Sequence, residues 1–174
     1  MLLSSNKMNL GFKAQDFRLM SVNDRYYSLS NTRGVNGMVI VFICNHCPYV
    51  IDLISRMVFD FNYLMSKNIG IVAIMSNDVL LYPADSFENM KKFANIHNFK
   101  FPYLFDSEQK VALKYQAVCT PDFYCFDKRD KLFYRGRLDN IKYKAKYDYR
   151  ERSLVSAFSK MLKNNKIEEN QFNS

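Results

Sequence analysis

Met38-Val39-Ile40-Val41-Phe42-Ile43 is an unbroken apolar run, bounded by polar or turn-forming residues. Continuous rather than alternating hydrophobicity marks a strand covered on both faces, so this segment is expected to be central and parallel. From Pro48 to Lys67 the pattern changes period: Val50, Leu53, Ile54, Met57, Val58, Phe61, Leu64 and Met65 recur at steps of three and four. That spacing predicts one amphipathic helix, with Pro48 in its first turn, where a missing N–H costs nothing, and Asn68 and Gly70 at its end. Ile69 to Met75 is again continuously apolar. It predicts a second buried strand and completes a βαβ unit.

The remaining elements are shorter. Phe17-Arg18-Leu19-Met20-Ser21-Val22 and Tyr26-Tyr27-Ser28-Leu29 flank Asn23-Asp24 and read as an N-terminal hairpin. Asp85-Ser86-Phe87-Glu88 has capping-box spacing and is expected to start a helix running to about His97. Phe101 to Phe105 predicts a short strand, and Asp106-Ser107 a cap for a helix ending near Tyr115. Phe123-Tyr124-Cys125-Phe126 and Leu132-Phe133-Tyr134-Arg135, joined by Asp127 to Asp130, predict an antiparallel hairpin on a sheet edge. Arg152 to Leu162 predicts a closing amphipathic helix. No internal repeat or linker divides the chain, so one domain is expected over 11–162, with a flexible N-terminus over 1–10 and a polar tail over 163–174.

Chemistry concentrates where the first buried strand meets the long helix, at Cys44-Asn45-His46-Cys47-Pro48. A helix N-terminus offers unpaired N–H groups and the positive end of the macrodipole, both of which favour a thiolate. Two cysteines three residues apart can close a reversible disulfide, and CxxC beside a βαβ pattern is a redox signature. A buried reduced pair and half of a zinc site stand as alternatives. Cys119 and Cys125 would have to complete a four-thiolate zinc set, but their spacing does not match a second CxxC knuckle, and no metal is assigned.

Composition narrows the classes further. A chain of 174 residues that is 48% hydrophobic and 16% aromatic has room for a sizeable core in one domain. No run approaches the roughly 18 apolar residues of a membrane span, and the N-terminal residues lack a basic flank before an apolar stretch, so a cytoplasmic protein is expected. Four cysteines with one close pair suit a reducing compartment better than a disulfide-stapled scaffold. The net charge of +8 permits acidic partners, yet the densest basic stretch, Lys142 to Arg152, interleaves aromatics and acids without a nucleic-acid-binding motif. A solvated loop is expected there, and no nucleic-acid partner.

A βαβ unit bearing CxxC, followed by Cys119-Thr120-Pro121 before a hairpin, resembles the thioredoxin-like superfamily. It is most similar to the redoxin branch of alkyl hydroperoxide reductases and thiol-specific antioxidants. The stretches that carry the likeness are Phe42 to Val50, Cys119 to Phe123 and Tyr134 to Asp139, within about Gly11 to Leu162. The resemblance implies an α/β thioredoxin-like fold: a central mixed β-sheet flanked by helices, with the N-terminal β-hairpin as an extension. It implies a cis Pro121 lying against the cysteine pair, with the Thr120 backbone turned outward as the substrate-binding edge for an extended client.

By the same resemblance the chain is a thiol-disulfide oxidoreductase acting on protein disulfide or dithiol clients, with a thiol electron donor and no cofactor. Cys44, at the helix cap and exposed, is expected to attack, and Cys47 to resolve the mixed disulfide. His46, as imidazolium, would stabilise the Cys44 thiolate, as the similar histidine does in the disulfide oxidant DsbA. Cys119, near the pair, is a candidate third redox thiol or, with Cys44 and Cys47, a ligand for Cu(I); a small buried thiol is the plainer reading. Cys125 is expected in the core.

Two alternatives stay open. A thiol peroxidase of the peroxiredoxin kind would align its Cys-Pro on Cys47-Pro48, but Cys44 then replaces the catalytic hydroxyl and Pro121 falls where the arginine belongs, unless Arg135 or Arg137 substitutes. A non-catalytic metal- or protein-binding module is the other. Thioredoxin's buried carboxylate has no counterpart in 38–43, leaving Asp52 and Asp122 as candidate proton acceptors.

Overall fold

The computed structural model describes residues 10–145 and 149–164; the expectations for residues 1–9 and for the tail from 165 lie outside the described residues. Seven strands form one mixed sheet in the order β2-β1-β5-β4-β3-β6-β7. β1 (Arg18–Ser21) and β2 (Tyr26–Ser28) are the N-terminal hairpin, which adds to the sheet because β1 pairs antiparallel with β5 (Tyr103–Phe105). β3 (Met38–Phe42) is central, as its apolar run requires. It runs parallel to β4 (Gly70–Met75) but antiparallel to β6 (Asp122–Phe126), whose hairpin partner β7 (Leu132–Gly136) forms the edge.

Because successive side chains of a strand point to opposite faces, β3 serves two cores at once. Val39 and Val41 pack with Val50, Ile54, Met57, Phe61 and Leu64 of α2 (Pro48–Met65), with α3 (Phe87–Ile96) and with α5 (Ser153–Asn164). Met38, Ile40 and Phe42 pack on the other face with α4 (Lys110–Tyr115) and the single-turn α1 (Leu29–Thr32), which the sequence did not announce. The α1–β3 connection passes so near β4 that a Cβ on Gly70 would lie 2.0 Å from the Thr32 carbonyl oxygen. Glycine is required there for the close approach, while Asn68 adopts the left-handed backbone that ends α2 (φ 57°).

Asp106 caps α4 as expected, its carboxylate accepting the N–H groups of Val111 and Ala112. The basic stretch after β7 is more than a solvated loop: Arg150 and Arg152 reach fully buried Asp60 of α2 at 2.6 and 2.7 Å, and Arg150 also binds Asp139. A buried carboxylate on an otherwise apolar helix face needs such partners. Lys146 to Asp148 of that stretch lie outside the described residues.

Candidate active site

β3 ends at Phe42 and α2 begins at Pro48, so Ile43 and the CNHC segment make the connection and Cys47 is the N-cap residue. This shifts the expected frame by one turn: Cys44, read as the exposed cap, precedes the helix and is only 2% exposed, while Cys47 is 8% exposed. The cause is Pro48, which is suited to the first helical position and so makes its predecessor the cap.

The Cys44 and Cys47 thiols are neighbours, and hydrogen bonding between them is the largest influence on the acidity of each. The Thr120 hydroxyl lies 3.4 Å from the Cys44 sulfur, and the Cys47 S–H donates to the Thr120 carbonyl at 3.2 Å. These contacts divide the two thiols. Cys47 is lowered to about 5, first by the Cys44 hydrogen bond, against burial, and then by the Thr120 hydroxyl and the Val50 and Tyr49 amides. The amides act over longer than hydrogen-bond range, for no cap bond closes on the Cys47 side chain. Ionising Cys47 gives up its bond to the Thr120 carbonyl. Cys44 is raised well above the ordinary thiol range by donating to Cys47, by burial and by the Asp85 carboxylate.

Asp85 was legible only as a helix cap. Ser86 takes that role instead, its Oγ accepting the Asn89 N–H at 3.4 Å, and Asp85, fully buried at the end of a 3-10 turn (Pro83–Asp85), faces the CNHC segment. One oxygen accepts the Asn45 N–H at 2.8 Å; the other lies 2.7 Å from His46 Nδ1 and accepts from Asn77 Nδ2 at 2.8 Å. His46, expected to act on the Cys44 sulfur, is thus anchored to a carboxylate, and its ring stacks on Tyr82 at 4.9 Å and 11°. Tyr103 of β5 donates to the Asn45 side chain at 3.0 Å. Donor atoms of Cys44, His46 and Asp85 all lie within 4.8 Å of one another.

The Thr120–Pro121 peptide is cis. Pro121 is buried, and the Thr120 carbonyl, expected outward on the client edge, faces Cys47. A cysteine pair at a strand-to-helix junction beneath a Thr-cis-Pro loop, on a mixed sheet, is the arrangement anticipated from the redoxin likeness. Residues 10–135, more than two thirds of the chain, match the AhpC/TSA family. The chain belongs to that family. An uncharacterized conserved protein from Geobacillus kaustophilus is 40% identical with a TM-score of 0.94, covering 99% of this chain and 92% of its own. A hypothetical protein, SMc02350, from Sinorhizobium meliloti 1021 is 29% identical at a TM-score of 0.93, over 98% and 93%. The thioredoxin domain of the thiol-disulfide oxidoreductase BVU-2223 from Bacteroides vulgatus shares the fold at 14% identity and a TM-score of 0.68, over 89% and 99%. No curated protein matches the chain.

Other redoxin parts are assigned by their contacts. Arg135, the proposed stand-in for a peroxide-binding arginine, is buried in an ion pair with Asp122 at 2.6 Å and lies over the Tyr124 ring. Arg137 reaches Ser153 and Glu151. The carboxylates suggested as proton acceptors are also engaged, Asp122 by Arg135 and Tyr124, and Asp52 by Arg56. Cys119 is half-buried and raised to about 11, chiefly by burial, with the Cys47 charge among the lesser causes. Cys125 is fully buried in β6, and among the described residues the four cysteines do not converge as a metal cluster. Beside Thr120 and Pro121 lies a cavity of about 390 Å³ lined by Tyr49, Leu53, Phe123, Arg137 and Tyr143 among others. No described helix is long and apolar enough to cross a membrane.

Proposed function

We propose that this redoxin is a thiol-disulfide oxidoreductase exchanging disulfides with protein clients through Cys44 and Cys47. The observation that carries the reading is the pair itself: two neighbouring thiols, one on a helix cap, with Thr120 touching both. The helix cap makes Cys47 the attacking sulfur, the reverse of the order expected from the sequence. The Cys47 thiolate attacks a client disulfide, forming a mixed disulfide and releasing one client thiolate. Cys44 then gives up its proton and attacks the Cys47 sulfur, which releases the second client thiolate and leaves Cys44–Cys47 oxidised. Two electrons pass to the client and return from a thiol donor; the opposite direction uses the same steps.

Asp85 is suited to take the Cys44 proton, because its charge already bears on Cys44 and its hydrogen-bonded partner His46 reaches solvent. Client docking has apolar surface beside the pair: Leu80 and Leu81, 88% and 72% exposed, project from the loop that carries Tyr82 and Asp85. Thr120 and Pro121 wall the adjoining cavity and serve as the client-binding edge. Cys119 stands next to that edge as the candidate third thiol. Peroxide reduction is the second reading, favoured by a thiolate at Cys47 immediately before Pro48, but Arg135 is committed to Asp122.

A glutathione redox titration with a coupled turnover assay tests the proposal. A two-electron midpoint with cycling is expected, with mixed disulfides accumulating in Cys44→Ser and not in Cys47→Ser. Stoichiometric partner binding without cycling, or hydrogen peroxide consumed faster than protein disulfides, would overturn it.

A further inference from the structure

We infer that the reduced site is also a binding site for one thiophilic cation of the zinc class, held by Cys44, His46 and Asp85. The donor atoms of these three residues are gathered within 4.8 Å of one another. A thiolate, an imidazole and a carboxylate are three donors that zinc accepts with the fourth tetrahedral position left open, with bonds of about 2.0–2.3 Å that place neighbouring ligand atoms roughly 3.3–3.8 Å apart.

Cys44 and Asp85 are already aimed by partners outside the set, which is what holds a metal ligand in place. Asp85 is fixed by the Asn45 N–H on one oxygen, leaving the oxygen shared by His46 and Asn77 as the ligand. The present 2.7 Å between His46 Nδ1 and that oxygen is too short for both to bind one ion, so the ring must withdraw by about half an ångström. It is free to do so, since His46 is exposed and its ring is restrained mainly by the Tyr82 stack. The cation takes the place of the protons that now join the cluster. On binding the Cys44 proton leaves to solvent, and no electron moves.

The set shares Cys44 with the exchange reaction but not its chemistry. Binding needs Cys44 reduced and occupies its sulfur, so a bound cation would arrest exchange and oxidation to the Cys44–Cys47 disulfide would expel the cation. The four-cysteine set considered from sequence is different: it lacked His46 and Asp85 and relied on Cys125, which is sealed in the core.

Cobalt(II) chloride titrated anaerobically into the reduced full chain, followed by zinc competition, tests the inference. The expected result is a thiolate-to-cobalt charge-transfer band saturating at one equivalent, absent from the disulfide form, with affinity at least about tenfold weaker in both His46→Ala and Asp85→Asn. Absence of the band in protein whose Cys44 and Cys47 both alkylate would overturn it. So would a band of unchanged affinity in both variants, which would show chelation by the two thiols alone. Should Asp85→Asn fail to fold, the exposed His46→Ala decides. The glutathione titration of metal-free protein is read separately, so failure of the cation site leaves the exchange reading standing, and the reverse.

Discussion

Removing the Cys44 thiol should return the Cys47 sulfur part-way to ordinary acidity, because the S–H bond from Cys44 is the largest contribution holding it at about 5. A hydrogen bond to a charged acceptor contributes about 1.5–3 kcal/mol, which at about 1.4 kcal/mol per tenfold change corresponds to one to two pH decades. Cys44→Ala should therefore titrate at about 6–7, the Thr120 hydroxyl and the Tyr49 and Val50 amides retaining the rest. At pH 6 the thiolate fraction falls from about nine-tenths to between one half and one tenth, which makes that pH the discriminating one. Cys44→Ser keeps a donor and should keep most of the depression. The assay is thiolate absorbance near 240 nm across pH, with Cys47→Ser as the assignment control. Superimposable curves for wild type and Cys44→Ala would refute the role given to the Cys44 hydrogen bond. A low-pH thiolate band surviving in Cys47→Ser would move the charge back to Cys44.

Other perturbations read other parts of the same architecture. Asp85→Ala leaves the Asn45 N–H without its acceptor in a buried setting and should cost about 2–3 kcal/mol, a fall of several degrees in Tm by calorimetry; an unchanged Tm would mean the CNHC segment is held by other contacts. Arg135→Met strands fully buried Asp122 and should cost about 3–5 kcal/mol in denaturant unfolding, largely recovered in Asp122→Leu/Arg135→Met; a single variant of wild-type stability would show Arg135 is not needed for that charge. The pH dependence of the reduced protein follows from Cys47, whose folded value lies below the ordinary 9.0. A lowered value contributes stability that builds as pH rises from about 5 toward 9.0 and is lost as pH falls through about 5, so the stability of wild type relative to Cys47→Ser should shrink between pH 8 and pH 5. Urea unfolding of both proteins under reductant checks the sign, and a gap that widens toward acid would contradict it.

The apolar pattern by itself determined most of the scaffold. A strand that must be covered on both faces, as 38–43 is, has one place in a sheet flanked by helices, and a period of three to four over Pro48 to Met65 fixes which helix face covers it. The pairing of Cys44 with Cys47 followed from their spacing at the strand-to-helix junction, and the nearby Thr120 and the cis Pro121 came with the family likeness. What tertiary structure decided was which sulfur sits on the helix cap and what answers it. Pro48 could have revealed the frame, since its position in the first turn makes Cys47 the cap. Asp85 could not be found this way, because Asp85-Ser86 offers two capping side chains and local rules do not say which one turns inward. That choice depends on contacts between β4, the 3-10 turn and the CNHC loop, some forty residues apart in sequence. Asp60 and Asp122 were hidden for the same reason: a carboxylate reads as surface until Arg150, Arg152 or Arg135 arrives from a distant segment to neutralise it. Hydrophobic periodicity is a local property of the chain, whereas the charge that makes a thiol reactive is set by neighbours that only the completed fold brings together.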